Sequence, residues 1–259
     1  MTDRENYEAF MDQYGRLVYS VNPIEFEEGI KALRALAERG NIWANVKLYH
    51  TLREHFGMDY TEAETWIDRL TQLYAEDPDR FDSRALLYIG NIVTDIRSKG
   101  MRLQNQDEAS TGEMVAWFAR SLSKGEWIAG VRLLGSYFHA PSSLNDEGFA
   151  WCVRILDDDN SDSRLSCIDY VLHYLGKLAE QGHAPSQYLL GVISVKGDIF
   201  ARSDEKAAEW FSKAAEQGYD RAVRAMKEYR RDGNFLALVT REYLEPDDYD
   251  APDPFEGFL

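Results

Sequence analysis

The six residues KLAEQG at 177–182 recur as KAAEQG at 213–218, with one change, 36 residues further on (Gly182 to Gly218). A helix ending written twice at a period of roughly 20–50 residues points to stacked repeats. Each such unit is one supersecondary element that cannot bury its apolar face alone, so neighbouring copies must bury it.

The glycine closing each copy sets a frame for the helix that follows. A small residue stands at +4 and a large apolar one at +8: Ser186 and Leu190 after Gly182, Ala222 and Met226 after Gly218. The frame fits Gly40 (Ala44, Leu48), Gly125 (Ala129, Leu133) and, without a glycine, Phe81 (Ala85, Ile89). Positions four apart share one helical face. Gly90, Gly135 and Gly191 follow one or two residues after the +8 position. A glycine inside a helix costs about 1 kcal/mol against alanine, which predicts close approach by a second helix.

That second helix is marked by tryptophan. Trp66, Trp117, Trp151 and Trp210 each follow a helix-start signal, and each is followed three residues later by a base, Arg69, Arg120, Arg154 or Lys213. Thr61 with Glu64 and Ser110 with Glu113 have the capping-box form. Asn145 and Ser203 each precede two acids, which suit a helix N-terminus. A glycine, Gly125 or Gly218, ends two of these helices eight residues after the tryptophan. The frame is loose between Gly125 and Gly182, where 159–182 holds too few residues for a regular pair. Residues fixed by a repeat pack that repeat, so the four tryptophans are expected in the core.

The reading is therefore all-α, built of stacked helix-turn-helix repeats. An N-terminal helical cap covers 1–40, four to six repeats cover 41–241, irregular near 159–182, and an acidic extended or disordered tail covers 242–259. The pattern resembles the Sel-like repeat family, a branch of the tetratricopeptide-like superfamily. The residues that carry the resemblance are AEQGHAPSQYLLGVISVKGD and DEKAAEWFSKAAEQGYDRAV. It is specific over about 175–229, fair over 35–70 and 115–156, and weak over 81–114. The resemblance implies a right-handed α-solenoid of stacked helical hairpins, whose concave surface binds proteins. It also implies roles such as bacterial adaptors, secretion-linked factors and immunity proteins encoded beside toxins.

Charge narrows the partner. The chain has 29 Lys+Arg against 45 Asp+Glu, a net charge of −16, and seven of the acids and no base lie in 242–259. Such a surface repels nucleic acid and anionic lipid and speeds encounter with a basic protein. No run of 18 apolar residues is present, so no transmembrane helix is expected. The polar start lacks a secretory pattern. Cys152 and Cys167 form no CxxC and read as reduced thiols. Together these predict a cytoplasmic protein.

No catalytic, metal or cofactor site is expected. His50 and His55 lie five apart, His139 and His183 fall near helix ends, and GxGxxG, GxxxxGK[ST] and GxSxG are absent. Cys152 with His173 would make a nucleophile and base, but both read as packing residues. The residues that break the repeat are the better candidates for partner binding. Trp43 and Trp127 sit in the first turn after an anchor glycine, where the last two units have Pro185 and Arg221. A local packing role competes with binding at each. Phe255 and Phe258 in the closing DPFEGFL complete the set. The expected function is a non-enzymatic protein-binding repeat protein, an inhibitor or immunity protein that neutralises a basic toxin or effector. The alternatives are an adaptor or secretion chaperone, a structural homo-oligomer, and an enzyme with a site in the concave groove.

Overall fold

The computed structural model describes residues 3–56, 60–100, 108–139 and 167–239, and every element among them is helical. The helices are α1 (Asp3–Val18), α2 (Pro23–Glu38), α3 (Ile42–Phe56), α4 (Tyr60–Glu76), α5 (Ser83–Gly100), α6 (Glu108–Ser123), α7 (Trp127–His139), α8 (Cys167–Glu180), α9 (Ala184–Lys196), α10 (Asp204–Glu216), α11 (Asp220–Asp232) and the short α12 (Leu236–Val239). The described residues form two compact units that divide between Ser121 and Leu122, a division the repeat frame does not announce.

The opening repeat is a helix terminus with a defined geometry. At Gly182 the amide donates to the Ala179 carbonyl at 3.1 Å, and the His183 amide donates to Leu178 at 3.0 Å. Gly218 donates to Ala215 at 2.9 Å and Tyr219 to Ala214 at 3.1 Å; Gly40 donates to Ala37 at 2.9 Å and Asn41 to Leu36 at 3.4 Å. These bonds form the Schellman motif, which satisfies the last carbonyls of a helix and needs a left-handed residue. The three glycines have φ of 90°, 79° and 85°. The helix cannot continue, and the chain leaves into the next helix.

The frame places its residues inside. Ala44, Ala85, Ala129, Ser186 and Ala222 at +4 are all at most 1 % exposed, and Leu48, Ile89 and Leu133 at +8 are fully buried. Leu190 is 8 % exposed and Met226 half-buried. The helices that carry the frame are central. In α3, Ile42 to Tyr49 are buried on all sides, and in α9, Ser186 to Val195 are. Their polar side chains are therefore used within the fold. The Asn45 side-chain amide donates to the Ala37 carbonyl at 3.2 Å, and the Gln187 amide donates to Ala179 at 2.9 Å. Both residues stand at +5, and both reach the carbonyl that already accepts from the glycine.

In the first unit α3 packs on α1, α2, α4 and α5. Gly90 of α5 lies against the Phe118 ring of α6, where an added Cβ would stand 2.6 Å from the ring. In the second unit α9 packs on α8, α10 and α12, and α10 packs on α11. There Gly191 meets the Phe211 ring in the same way, with 2.5 Å left for a Cβ. The glycines inside the helices mark close approach by the next helix, as their cost predicts.

Three expectations need correction. Thr61 and Ser110 do not begin their helices, since α4 already includes Tyr60 and α6 already includes Glu108. The good helix formers Glu108 and Ala109 extend the helix past the capping-box serine. Trp66 and Trp117 are core residues at 9 % and 0 % exposure, but Trp210 is only half-buried. The invariant buried position is one residue later, at Ile67, Phe118 and Phe211. Trp210 instead stacks its ring 4.3 Å below the Lys213 ammonium. His173 is exposed, because the apolar stripe of α8 runs through Cys167, Tyr170, Val171, Leu175 and Ala179. Trp151, Cys152, Arg154 and Asn145 lie outside the described residues.

Candidate protein-binding surface

The tryptophan-borne helices and the turns between them set the surface. Arg69 donates to the Glu38 carbonyl at the end of α2. Arg120 lies over the Tyr74 ring at 4.8 Å and donates to the Ala116 carbonyl at 3.2 Å. Arg69 and Arg120 are thus engaged within the fold, one at a helix end and the other over a ring.

Trp43 takes the packing role. It is 4 % exposed, and its indole N–H donates to the Asp82 carboxylate at 3.0 Å. The other Asp82 oxygen accepts from the Ala85 amide at 2.8 Å and caps α5. The ring also lies 6.4 Å from Tyr7 and 6.1 Å from Tyr88, so its surface is spent inside the first unit. Nearby, Lys47 donates to the Tyr19 hydroxyl at 2.8 Å, and Tyr49 donates to Asp95 at 2.6 Å.

Trp127 and Arg221 are placed differently. Both are partly accessible in the first turns of α7 and α11. The Trp127 ring lies 6.2 Å from the His183 ring. His183 caps α9: its Nδ1 accepts from the Ser186 amide at 3.3 Å and lies 2.8 Å from the Ser186 hydroxyl. An imidazole nitrogen can accept only when unprotonated, and burial holds the His183 pKa below its ordinary value. Arg221 acts on Tyr219, whose phenol is pushed up by burial. Phe255 and Phe258 lie outside the described residues.

The cap at His183 is not apparent from residue type, because histidine is not among the usual capping residues. Its signal is positional: Asn41 stands at the same place after Gly40, and its side chain caps α3 through the Ala44 amide at 2.8 Å. Acids occupy exposed helix positions in both units, among them Glu27, Glu28, Asp68, Glu180, Glu209 and Glu216. Asp204 is held below the usual carboxylate range by the hydrogen bond from Arg202 at 2.9 Å. Among the described residues no group of three metal-binding side chains comes together, and no helix is long and apolar enough to cross a membrane.

No family model matches the chain, and no curated protein matches it. Among solved structures, it is similar to a Sel1 repeat protein from Oxalobacter formigenes, at 23 % identity and a TM-score of 0.49. The match covers 89 % of this chain and 58 % of that one. The chain thus spans less than two thirds of the length of the protein it matches.

Proposed function

We propose that the chain is a non-catalytic helical-repeat protein that binds another protein. The partner is basic, and binding neutralises it, as an immunity protein neutralises a toxin or effector. One observation carries the reading. The Asn45 and Gln187 amides of the central helices donate to the fold's own backbone, while acids stand on exposed positions of a chain with net charge −16. Interior chemistry is thus structural, and the surface offers charge. Trp127 adds a partly accessible aromatic at a position that differs from copy to copy, and tryptophan is enriched where interfaces concentrate their energy.

The test is affinity capture by the tagged chain from its source lysate, at low and then moderate salt. The reading predicts one basic protein, released as salt rises, whose own activity falls on binding. A partner that stays fully active points to an adaptor or secretion chaperone. Robust turnover of a generic hydrolase panel by the purified chain overturns the non-catalytic reading.

A further inference from the structure

The joints between frame helices use one design with two chemistries. Counted from the anchor, the side chain at +1 caps the helix by accepting from the amide at +4. Asn41 accepts from Ala44 at 2.8 Å, Asp82 from Ala85 at 2.8 Å and His183 from Ser186 at 3.3 Å. At two of these caps a tryptophan from the first turn of an earlier frame helix rests against the capping residue. Trp43 donates its indole N–H to Asp82 at 3.0 Å. The Trp127 ring lies 6.2 Å from the His183 ring, at an angle of 54°.

Acid acts differently on the two caps. An aspartate stays an acceptor down to the carboxylate range, about pH 4. A histidine accepts at Nδ1 only while the imidazole is neutral. Protonation of His183 has three consequences. The Ser186 amide loses its acceptor; the Ser186 hydroxyl, 2.8 Å from Nδ1, can turn to accept, but an amide cannot. The new charge stands at the N-terminus of α9, where the helix dipole opposes it. That charge is also partly buried, which disfavours it. Burial alone holds the His183 pKa below its ordinary value. The charged residues at this end of the neighbouring elements are Lys124 and Glu126 before α7, Lys177 and Glu180 in α8, and Lys213 and Glu216 in α10; α12 carries none. None of them sets the His183 pKa. All three consequences push the imidazolium towards water. The attraction of a cation for an indole face is the one contact that would retain it.

We propose that His183 is an acid-sensitive latch on Trp127: protonation withdraws the imidazole from the start of α9 and bares the indole, while the Asp82 latch on Trp43 stays shut. The chain then offers Trp127 to a partner more fully at mildly acid pH than at neutral pH. That consequence for binding rests on the proposed role of Trp127. The latch itself is a property of the chain alone and is tested on it.

The full chain, isotope-labelled in its indoles and imidazoles, is titrated by NMR from about pH 8 to about pH 5.5, which spans the ordinary histidine value and stays above the carboxylate range. A soluble gadolinium chelate reports indole exposure. Trp43→Phe and Trp127→Phe assign the two indole signals, and His183→Asn assigns the imidazole. The His183 imidazole should titrate with a midpoint below the ordinary value of about 6.5. The Trp127 indole signal should shift with that same midpoint and broaden more with the chelate at the acid end, while Trp43 does neither. His183→Asn keeps a +1 cap, as Asn41 does, and should abolish the Trp127 transition. A Trp127 signal that stays flat while His183 titrates overturns the proposal. So does a His183 midpoint at or above about 6.5, equal movement of Trp43, or a Trp127 transition that survives His183→Asn. None of these outcomes bears on partner capture, which succeeds or fails separately.

Discussion

Replacing Gly191 with alanine tests whether the glycines inside the frame helices exist for contact with the next helix. The added Cβ would stand 2.5 Å, 2.7 Å and 2.9 Å from three atoms of the Phe211 ring. That ring is fully buried, and the Tyr188 and Phe235 rings lie 5.3 Å and 5.0 Å from it. It has no free direction in which to yield. Overpacking of this kind costs about 1–3 kcal/mol, and so short a contact belongs at the upper end. Alanine returns about 1 kcal/mol of helix propensity. The net expectation for Gly191→Ala is destabilisation of about 1–2 kcal/mol. The control is Gly176→Ala in α8, where a Cβ meets nothing within 4 Å and the propensity gain should stand alone as stabilisation. Pairing Gly191→Ala with Phe211→Leu should recover part of the loss, because the shorter side chain makes room. Urea denaturation of the four proteins gives the shifts in midpoint. If Gly191→Ala stabilises as much as Gly176→Ala does, the contact is not what keeps the glycine, and the reasoning fails.

Three further predictions follow from the same geometry. Gly218→Ala should cost about 1–2 kcal/mol through the left-handed backbone alone, since φ is 79° and a Cβ there meets nothing within 4 Å; unchanged thermal stability would contradict this. Because burial lowers the His183 pKa, the unfolded chain takes up this proton first as pH falls. The cap's contribution should thus be complete above the unfolded value of about 6.5 and be lost as pH falls through the lower native value, while His183→Asn, which keeps an acceptor, should lose this component; equal pH slopes for the two proteins in urea midpoints would refute it. Trp43→Phe removes the bond to Asp82 and should cost about 1.5–3 kcal/mol of stability without weakening partner capture, which a melting curve and the capture assay check together.

How far the sequence reveals the architecture depends on what each residue does. Small residues at +4, such as Ala44 and Ser186, repeat because any larger side chain would push neighbouring helices apart, and the repetition is visible as spacing. Gly191 announces itself by its cost in a helix. The polar bonds of Asn45 and Gln187 were harder to see, since two different amides do one job and neither stands out in a polar chain. Trp210 misled for a related reason. A large residue draws the eye, whereas the buried position is Phe211, and one residue turns a side chain by about 100° around a helix. The candidate surface was less legible than the core. Trp43 and Trp127 occupy nearly the same place in the frame, yet Asp82, more than a helix away in sequence, decides that Trp43 is interior. Nothing local to Trp43 carries that information.

The central claim is that repeated residues build the interior while unrepeated surface residues and exposed acids choose the partner. The most direct measurement is calorimetric titration of the captured basic protein into wild-type chain and into the Trp127→Ala, Arg221→Ala variant, at low and moderate salt. The account predicts affinity that falls as salt rises, and a further loss of about tenfold or more in the variant, as for an interface residue worth over 1 kcal/mol, at a temperature where circular dichroism shows both proteins fully folded. Affinity that ignores both salt and the two substitutions would contradict it.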